Sequence, residues 1–407
     1  MSAAAEGSAD ESIFDATAVA PRPPDDCLEF QPGEEAALEA LRGLLGDELL
    51  SALPEDISGR LNLIRFLRGH GCKPKEAEKY YRAMVAWRES NGMVELRALT
   101  AGKDLSYESL PGGEHVRRFV TMRLHAGWSR SGHLVQLGCP GKMAIPELMG
   151  AVGVAGFERF WHSMLEIRHQ LMARESEARG HVVKVAMVRD LAGIGMHLLT
   201  ADARKLLVSL VKGAQDNFPE SMHRIAFINT PAFFSFIMTI LRPLLNKRTL
   251  EKFMVVGADW VPPLLGVLDV SVLRELVLMG QAGTAEEGCH EAAAAGAAPR
   301  SRELGVGARD STTLRLSLAP GATCRFSFWL ASGDIDFTAT AFEDRAGTDV
   351  VPTERCAAAA DEGALKAGEF TATHEHGAIL QLRWGNGHSW MTSKTVTCTT
   401  EVTLAST

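Results

Sequence analysis

Between Thr230 and Arg242 the chain reads PAFFSFIMTIL, and Ser235 and Thr239 are its only polar side chains. A helix that is apolar on every face must be buried, cross a bilayer or touch lipid. Twelve residues separate Thr230 from Pro243, well short of the roughly 20 that a spanning helix needs, so burial and lipid contact remain. The flanking segments say more. VVKVAMV (182–188), RIAFIN (224–229) and KFMVVG (252–257) read as strands, and LLTADARKLLVSLVKGAQDNF (198–218) reads as an amphipathic helix stopped by Pro219. Strand, helix, strand, helix, strand with short connections predicts a mostly parallel sheet with crossover helices. A crossover helix normally turns one apolar face to the sheet and a polar face to water. This one has two apolar stripes: Phe233, Phe236, Ile237 and Ile240, and Phe234, Met238, Leu241 and Leu245. One stripe can cover the sheet or a cavity; the other requires a second apolar partner.

The rest of the 407 residues divides by composition. Residues 1–32 are acidic and lack the basic start and apolar core of a signal peptide, which predicts a disordered leader and no secretion. Residues 33–92 form a helical region: Leu38, Leu41, Leu45 and Leu49 fall at helical spacing over 34–52, a short Arg- and Leu-rich helix covers 60–69, and Pro74 opens a helix through Trp87. Residues 105–280 form the α/β domain; in it the apolar runs VRRFVTM and HLVQLG precede a long helix from about Phe157 to Arg179, with Phe157, Phe160, Trp161, Met164, Leu165 and Leu171 on one stripe. Residues 281–309 have the Gly, Ala and charge content of a linker, and residues 310–405 carry short strand-like runs between Gly, Asp and Asn turns, the pattern of an all-β sandwich.

A net charge of −8 argues against a nucleic-acid partner. Seven scattered cysteines without a C-x-x-C pair read as reduced thiols and predict a cytosolic protein. Gly193-x-Gly195 follows a strand, but Leu198 stands where a dinucleotide loop has its third glycine, and no acidic residue ends a strand about 20 residues on. His374 and His376 lie on one face of an expected strand without further ligands nearby, so no metal site is predicted, and His70 with Cys72 reads as a helix-capping loop. No catalytic signature occurs, which predicts a protein that is not an enzyme. The remaining chemistry is NKRTLEK (246–252), directly after the apolar helix. Asn246 can cap a turn that carries Lys247 and Arg248 and puts Thr249 and Lys252 on one helical face, a hydroxyl beside an ammonium, suited to a phosphate or inositol head group.

Taken together, LNLIRFLRGHGCKPKEAEKYYRAMVAWRES, VRDLAGI and NFPESMHRIAFINTPAFFSFIMTILRPLLNKRTLEKFMVVG resemble the CRAL-TRIO lipid-binding family over residues 34–280. The C-terminal part resembles a GOLD domain through Phe328-Trp329, Asp334-Ile335-Asp336-Phe337, Trp384-x-Asn386 with Ser389, and Ser393-Lys394. The resemblance implies that the apolar helix, residues 231–242, is a gate over a lipid cavity: Phe233, Phe236, Ile237, Ile240 and Phe227 facing the pocket, Phe234, Met238 and Leu241 facing the membrane. It implies head-group contacts from Thr249, Lys252, Arg68 and His70, although the family's basic Arg-Lys pair is here His70 and Gly71. No cofactor is expected beyond a bound lipid. The implied function is binding and transfer of phosphatidylinositol or phosphatidylcholine at membranes, with transient Golgi or endosomal contact and a protein partner for the GOLD domain. A carrier of a tocopherol- or squalene-like isoprenoid and a lipid-sensing vesicle-trafficking adaptor are the alternatives.

Overall fold

The structure, a computed structural model, describes residues 26–195, 200–245, 247–281, 299–358 and 365–404. These fall into two compact units, residues 26–260 with 275–281 and residues 261–274 with 299–404. Asn246, most of the 1–32 leader and most of the 281–309 linker lie outside the described residues.

The first unit opens with α1 (Glu34–Leu45), α2 (Asp47–Ser51), α3 (Glu55–Ser58), α4 (Arg60–Gly69), α5 (Pro74–Ser90) and α6 (Met93–Thr100). The helix expected over 34–52 is broken at Gly46, whose φ of 81° and ψ of 150° a residue with a Cβ would resist. Leu38, Leu41 and Leu45 of α1, Leu50 of α2, Leu63, Phe66 and Leu67 of α4, and Tyr81 and Met84 of α5 bury one another in a separate small core.

Then follow α7 (Gly113–Arg117), β1 (Met122–Arg123), β2 (Leu134–Gly138), α8 (Ile145–Arg179), β3 (Val185–Asp190), α9 (Ala201–Asn217), β4 (Met222–Ile228), α10 (Phe234–Leu241), α11 (Lys247–Leu250) and β5 (Phe253–Val255). The sheet runs β1-β2-β3-β4-β5, antiparallel between β1 and β2 and parallel elsewhere, as the alternating pattern requires. Of the run VRRFVTM only Met122 is in a strand; Val116 and Val120 instead bury themselves from α7 and the turn after it. The long helix α8 extends back beyond Phe157 to Ile145 across a kink at Gly153, and Phe157, Phe160, Met164 and Leu165 are buried in the main core. Among the described residues no helix is long and apolar enough to cross a membrane.

The second unit contains α12 (Val261–Leu265), the first residues of α13 (Val270–Gln281), and β6 (Arg300–Val306), β7 (Ser311–Leu318), β8 (Thr323–Leu330), β9 (Asp334–Glu343), β10 (Ala346–Ala357), β11 (Lys366–Thr371), β12 (Ala378–Gly385) and β13 (Lys394–Thr403). Two antiparallel four-stranded sheets, β10-β9-β12-β7 and β11-β8-β13-β6, enclose Phe328, Phe337 and Trp384, whose rings lie 4.6 to 5.7 Å apart. β6 occupies residues read as linker, and β10 was not anticipated. Both are edge strands and mostly exposed; β10 lacks the alternation that reports a buried face, and in β6 only Leu304 and Val306 mark one. The six described cysteines are free thiols.

Candidate functional site

Strand register lines up one face of the five-stranded sheet. Gln136, Met187, Ile225 and Phe253 form one row across β2, β3, β4 and β5, and Gly138, Arg189, Phe227 and Val255 form the next. The β4–β5 half of this face is apolar. Helix α10 covers it, placing Phe234 and Ile237 in a cluster with Leu191, Ile225 and Phe227, bordered by Met187, Phe233, Met238 and Phe253. The Phe227 ring is 5.2 Å from that of Phe234 and 5.3 Å from that of Phe253.

The two stripes read from the sequence are out of phase with this packing. Phe234, expected to face the membrane, is buried, whereas Phe236, expected inside, is 41% exposed; Phe233 and Met238 are half-buried. Phe233 is the N-cap; within the helix Phe234 and Ile237 share the face turned to the sheet, and Phe236 lies about 200° around the axis from Phe234. The side chains of Ile240 and Leu241 lie outside those described.

At the edge where β4 and β5 begin, cations converge on one carboxylate. Glu220 lies 2.8 Å from Arg248 Nε, 3.0 Å from Lys252 Nζ and 3.4 Å from Lys184 Nζ, and its backbone carbonyl accepts a 2.8 Å hydrogen bond from Arg65. Burial alone would raise the Glu220 carboxyl; Lys252, Lys184 and Arg248 outweigh it and hold the group below its ordinary value. Burial pushes Lys252 down against the pull of Glu220. Thr249, half-buried on α11, sits beside this cluster, three residues before Lys252.

Lys184 carries the network inward to Asp26, 3.0 Å away, which also meets His133 at 3.1 Å and His223 at 3.2 Å. Asp26, His133 and His223 have the donor types of a metal site. The hydrogen bonds assign them otherwise: His133 Nδ1 accepts from the Lys184 backbone N–H, so Nε2 carries the proton given to Asp26, and the Lys184 ammonium is that carboxylate's counter-ion. Desolvation lowers His133 to about 4, keeping it neutral. Burial would raise the Asp26 carboxyl, but hydrogen bonds from both histidines and the Lys184 charge hold it far below the usual range.

The head-group role read for Arg68 is corrected by its surroundings. Its guanidinium is buried, clamps both oxygens of Glu34 at 2.8 and 2.9 Å, and donates to the carbonyls of Cys27 and Glu29. It ties the helical region together. His70 caps α4, with Nδ1 2.8 Å from the Phe66 carbonyl and its ring stacked 4.2 Å from Tyr80, while Gly71 and Cys72 turn the chain at positive φ. α4 nevertheless ends beside the cluster, since a Cβ on Gly69 would come within 3.8 Å of Glu220. Sequence reasoning missed Asp26, Lys184 and Glu220. A usable signal existed for Lys184, a lone charge in the apolar run VVKVAMV.

In the sandwich, Asn386 is fully buried and donates to the carbonyls of Gly307 and Thr392, and Lys394 pairs with Asp334 at 3.0 Å. His374 and His376 sit in the turn between β11 and β12 rather than on a strand.

Residues 148–274 match the CRAL/TRIO domain family. Among curated proteins, the chain is 25% identical over 242 residues to the phosphatidylinositol/phosphatidylcholine transfer protein SFH7 of Arabidopsis thaliana, covering 58% of this chain and 42% of the relative. It is 26% identical over 239 residues to SFH4 of the same plant, covering 58% and 37%, and 24% identical over 234 residues to Protein real-time of Drosophila melanogaster, covering 57% and 33%. The chain thus matches about two fifths of the length of the two plant relatives.

Proposed function

Since this chain carries a CRAL-TRIO domain at residues 148–274, we propose that it binds a phospholipid, its acyl chains held between α10 and the β4–β5 half of the sheet, and exchanges it at membranes. The observation that carries this reading is α10 itself: a crossover helix that seals an apolar sheet face with Phe234 and Ile237 while presenting Phe236 outward. Moving one CH₂ from membrane to water costs about 0.8 kcal/mol, so an acyl chain needs a closed apolar container in transit. A helix apolar on both sides can be lid in water and contact in the bilayer.

Thr249, Lys252 and Arg248 beside Glu220 form the head-group site of this reading, a phosphate or inositol sharing cations that Glu220 otherwise occupies. The relatives named for phosphatidylinositol and phosphatidylcholine support those two lipids. An apolar isoprenoid is the second reading, favoured by the neutralisation of Lys252 and Arg248 by Glu220 and by Gly71 in place of a cation. The sandwich serves as a GOLD-type docking domain for a protein partner, and the exchange takes place from the cytosol.

The test is mass spectrometry of lipids extracted from the freshly purified chain, with vesicle-to-vesicle transfer measured in parallel. Co-purified phosphatidylinositol or phosphatidylcholine that the chain also transfers supports the reading. An isoprenoid alone moves it to the second reading, and no transferred lipid removes both.

A further inference from the structure

On the β2–β3 half of the same sheet face, the chemistry reverses. Arg189 stands there between Gly138 and Phe227 in the strand register. Its guanidinium donates to Gln136 Oε1 at 2.8 Å, to the Gln136 and Val188 carbonyls at 3.4 and 3.2 Å, and to Met187 Sδ at 3.3 Å. All four acceptors are neutral. Arg189 and Met187, on the same face, are half-buried.

The helix above contributes a second guanidinium. Arg168 of α8 is 5% exposed and has no hydrogen-bond or ion-pair partner among the described residues, and its Nε is buried and orphaned. It shares a helical face with Met164, one turn earlier, whose sulfur is 3.3 Å from the Gln136 amide that also holds Arg189. Burial and the charge of Arg189 lower Arg168 to about 10, so both guanidinia stay protonated at neutral pH. A buried cation and a half-buried one that repel one another, with no carboxylate between them among the described residues, are costly unless an anion completes the site.

We infer that Arg168 and Arg189, with Gln136, form an interior oxyanion site that takes the phosphate of an acyl lipid whose chains run under α10. The inference rests on the lipid-binding reading and adds a second polar pole to it. Cations under α8 and an apolar surface under α10 on one continuous sheet face match the two ends of an anionic amphiphile. A guanidinium pair suits phosphate because each planar fork can give two parallel hydrogen bonds to its oxygens.

The test uses the full chain and phosphatidylcholine vesicles carrying equimolar dioleoyl phosphatidic acid and dioleoylglycerol, which differ only in the phosphate. After incubation and re-isolation, bound lipids are quantified by mass spectrometry. The wild-type chain should favour phosphatidic acid by about tenfold or more, the range of one charge-assisted hydrogen bond. Arg168→Met should bring that ratio near unity without reducing diacylglycerol uptake, and its Tm without added lipid should equal or exceed that of the wild type. Arg168→Lys, which keeps the charge, should retain a preference for phosphatidic acid. Equal uptake by the wild type, or an unchanged ratio in Arg168→Met, overturns the oxyanion site while leaving the lipid reading standing. Uptake of no glycerolipid overturns both. A Tm rise with inorganic phosphate that Arg168→Met abolishes supports the site; if it comes without a phosphatidic acid preference, it overturns the acyl-lipid assignment and makes free phosphate the ligand.

Discussion

The first unit holds two cationic groups at different places on its sheet, one paired with carboxylates and the other without one among the described residues. Where β4 and β5 begin, Lys184, Arg248 and Lys252 meet Glu220, and Lys184 also meets Asp26. Toward the end of β3, Arg189 and the overlying Arg168 have no carboxylate partner among the described residues. Protein interiors tolerate charge when it is paired and hydrogen-bonded. The first group is therefore complete and can serve architecture by itself, linking the N-terminal segment through Asp26 and α4 through Arg65 to the strand edge. The second is incomplete and has its use only when something anionic arrives. Burial and pairing separate a scaffold from a binding pole more sharply than the presence of arginine or lysine does.

If that contrast holds, removing the anion of the complete group should have the largest effect. Glu220→Gln removes the carboxylate shared by Arg248, Lys252 and Lys184, of which Lys184 keeps Asp26, and should lower stability by about 3–5 kcal/mol, the usual consequence of deleting one partner of a buried ion pair. Urea unfolding followed by circular dichroism would read it. A loss below about 1 kcal/mol would mean the cluster is effectively solvated and the contrast is overstated.

Acid should dismantle the same group next. His133 stays neutral in the folded chain down to about 4 but takes a proton near 6.5 when unfolded. Lowering the pH through that window adds protons to the unfolded state alone, so stability present above it is lost on the way down, by up to about 3 kcal/mol. Asp26 acts in the same direction lower on the scale: its carboxyl is depressed in the fold, and its contribution disappears as the pH falls below the unfolded value of 3.8. Urea midpoints measured at several pH values between 7 and 4 should therefore slope downward, and His133→Asn should flatten the upper part of that slope.

Lys252→Ala probes whether the complete group also binds. Binding of a phosphoinositide should fall by about tenfold, one charge-assisted contact, while binding of a neutral isoprenoid should be unchanged. Equal loss for both ligands would assign Lys252 to scaffold alone.

How much of this was legible in the chain follows from which signals survive burial. The parallel sheet and its crossovers could be read because strands of VVKVAMV type alternate with a helix of clear period, and the apolar helix could be located because its composition is extreme. Its facing could not. With apolar residues on all sides, periodicity is silent about which face meets the sheet. The head-group cluster was half visible: Arg248, Thr249 and Lys252 are contiguous, whereas Glu220, Lys184 and Asp26 reach it from segments far apart in sequence. Arg68 was misread because a cation in a helix looks the same in sequence whether it faces a ligand or Glu34. Strand β10 escaped because it is mostly exposed and does not alternate in burial, and β6 because only Leu304 and Val306 mark its inner face.

The smallest stability effect belongs to Phe236, and it bears most directly on exchange. At 41% exposure its ring contributes little to the cluster that Phe234 and Ile237 form with the sheet. Phe236→Asp should therefore change stability by no more than about 0.5–1 kcal/mol, in the range of exposed helix positions. A carboxylate at that position should still disfavour entry of α10 into a bilayer, because charge is costly in hydrocarbon. The expected result is a folded chain, with an unchanged sandwich, that has lost vesicle-to-vesicle lipid transfer. Transfer at the wild-type rate would show that Phe236 is merely an exposed aromatic and that α10 does not open toward the membrane by this face. A large loss of stability would show instead that Phe236 belongs to the packed cluster, and that the division of α10 into a sealing face and an outward face is wrong.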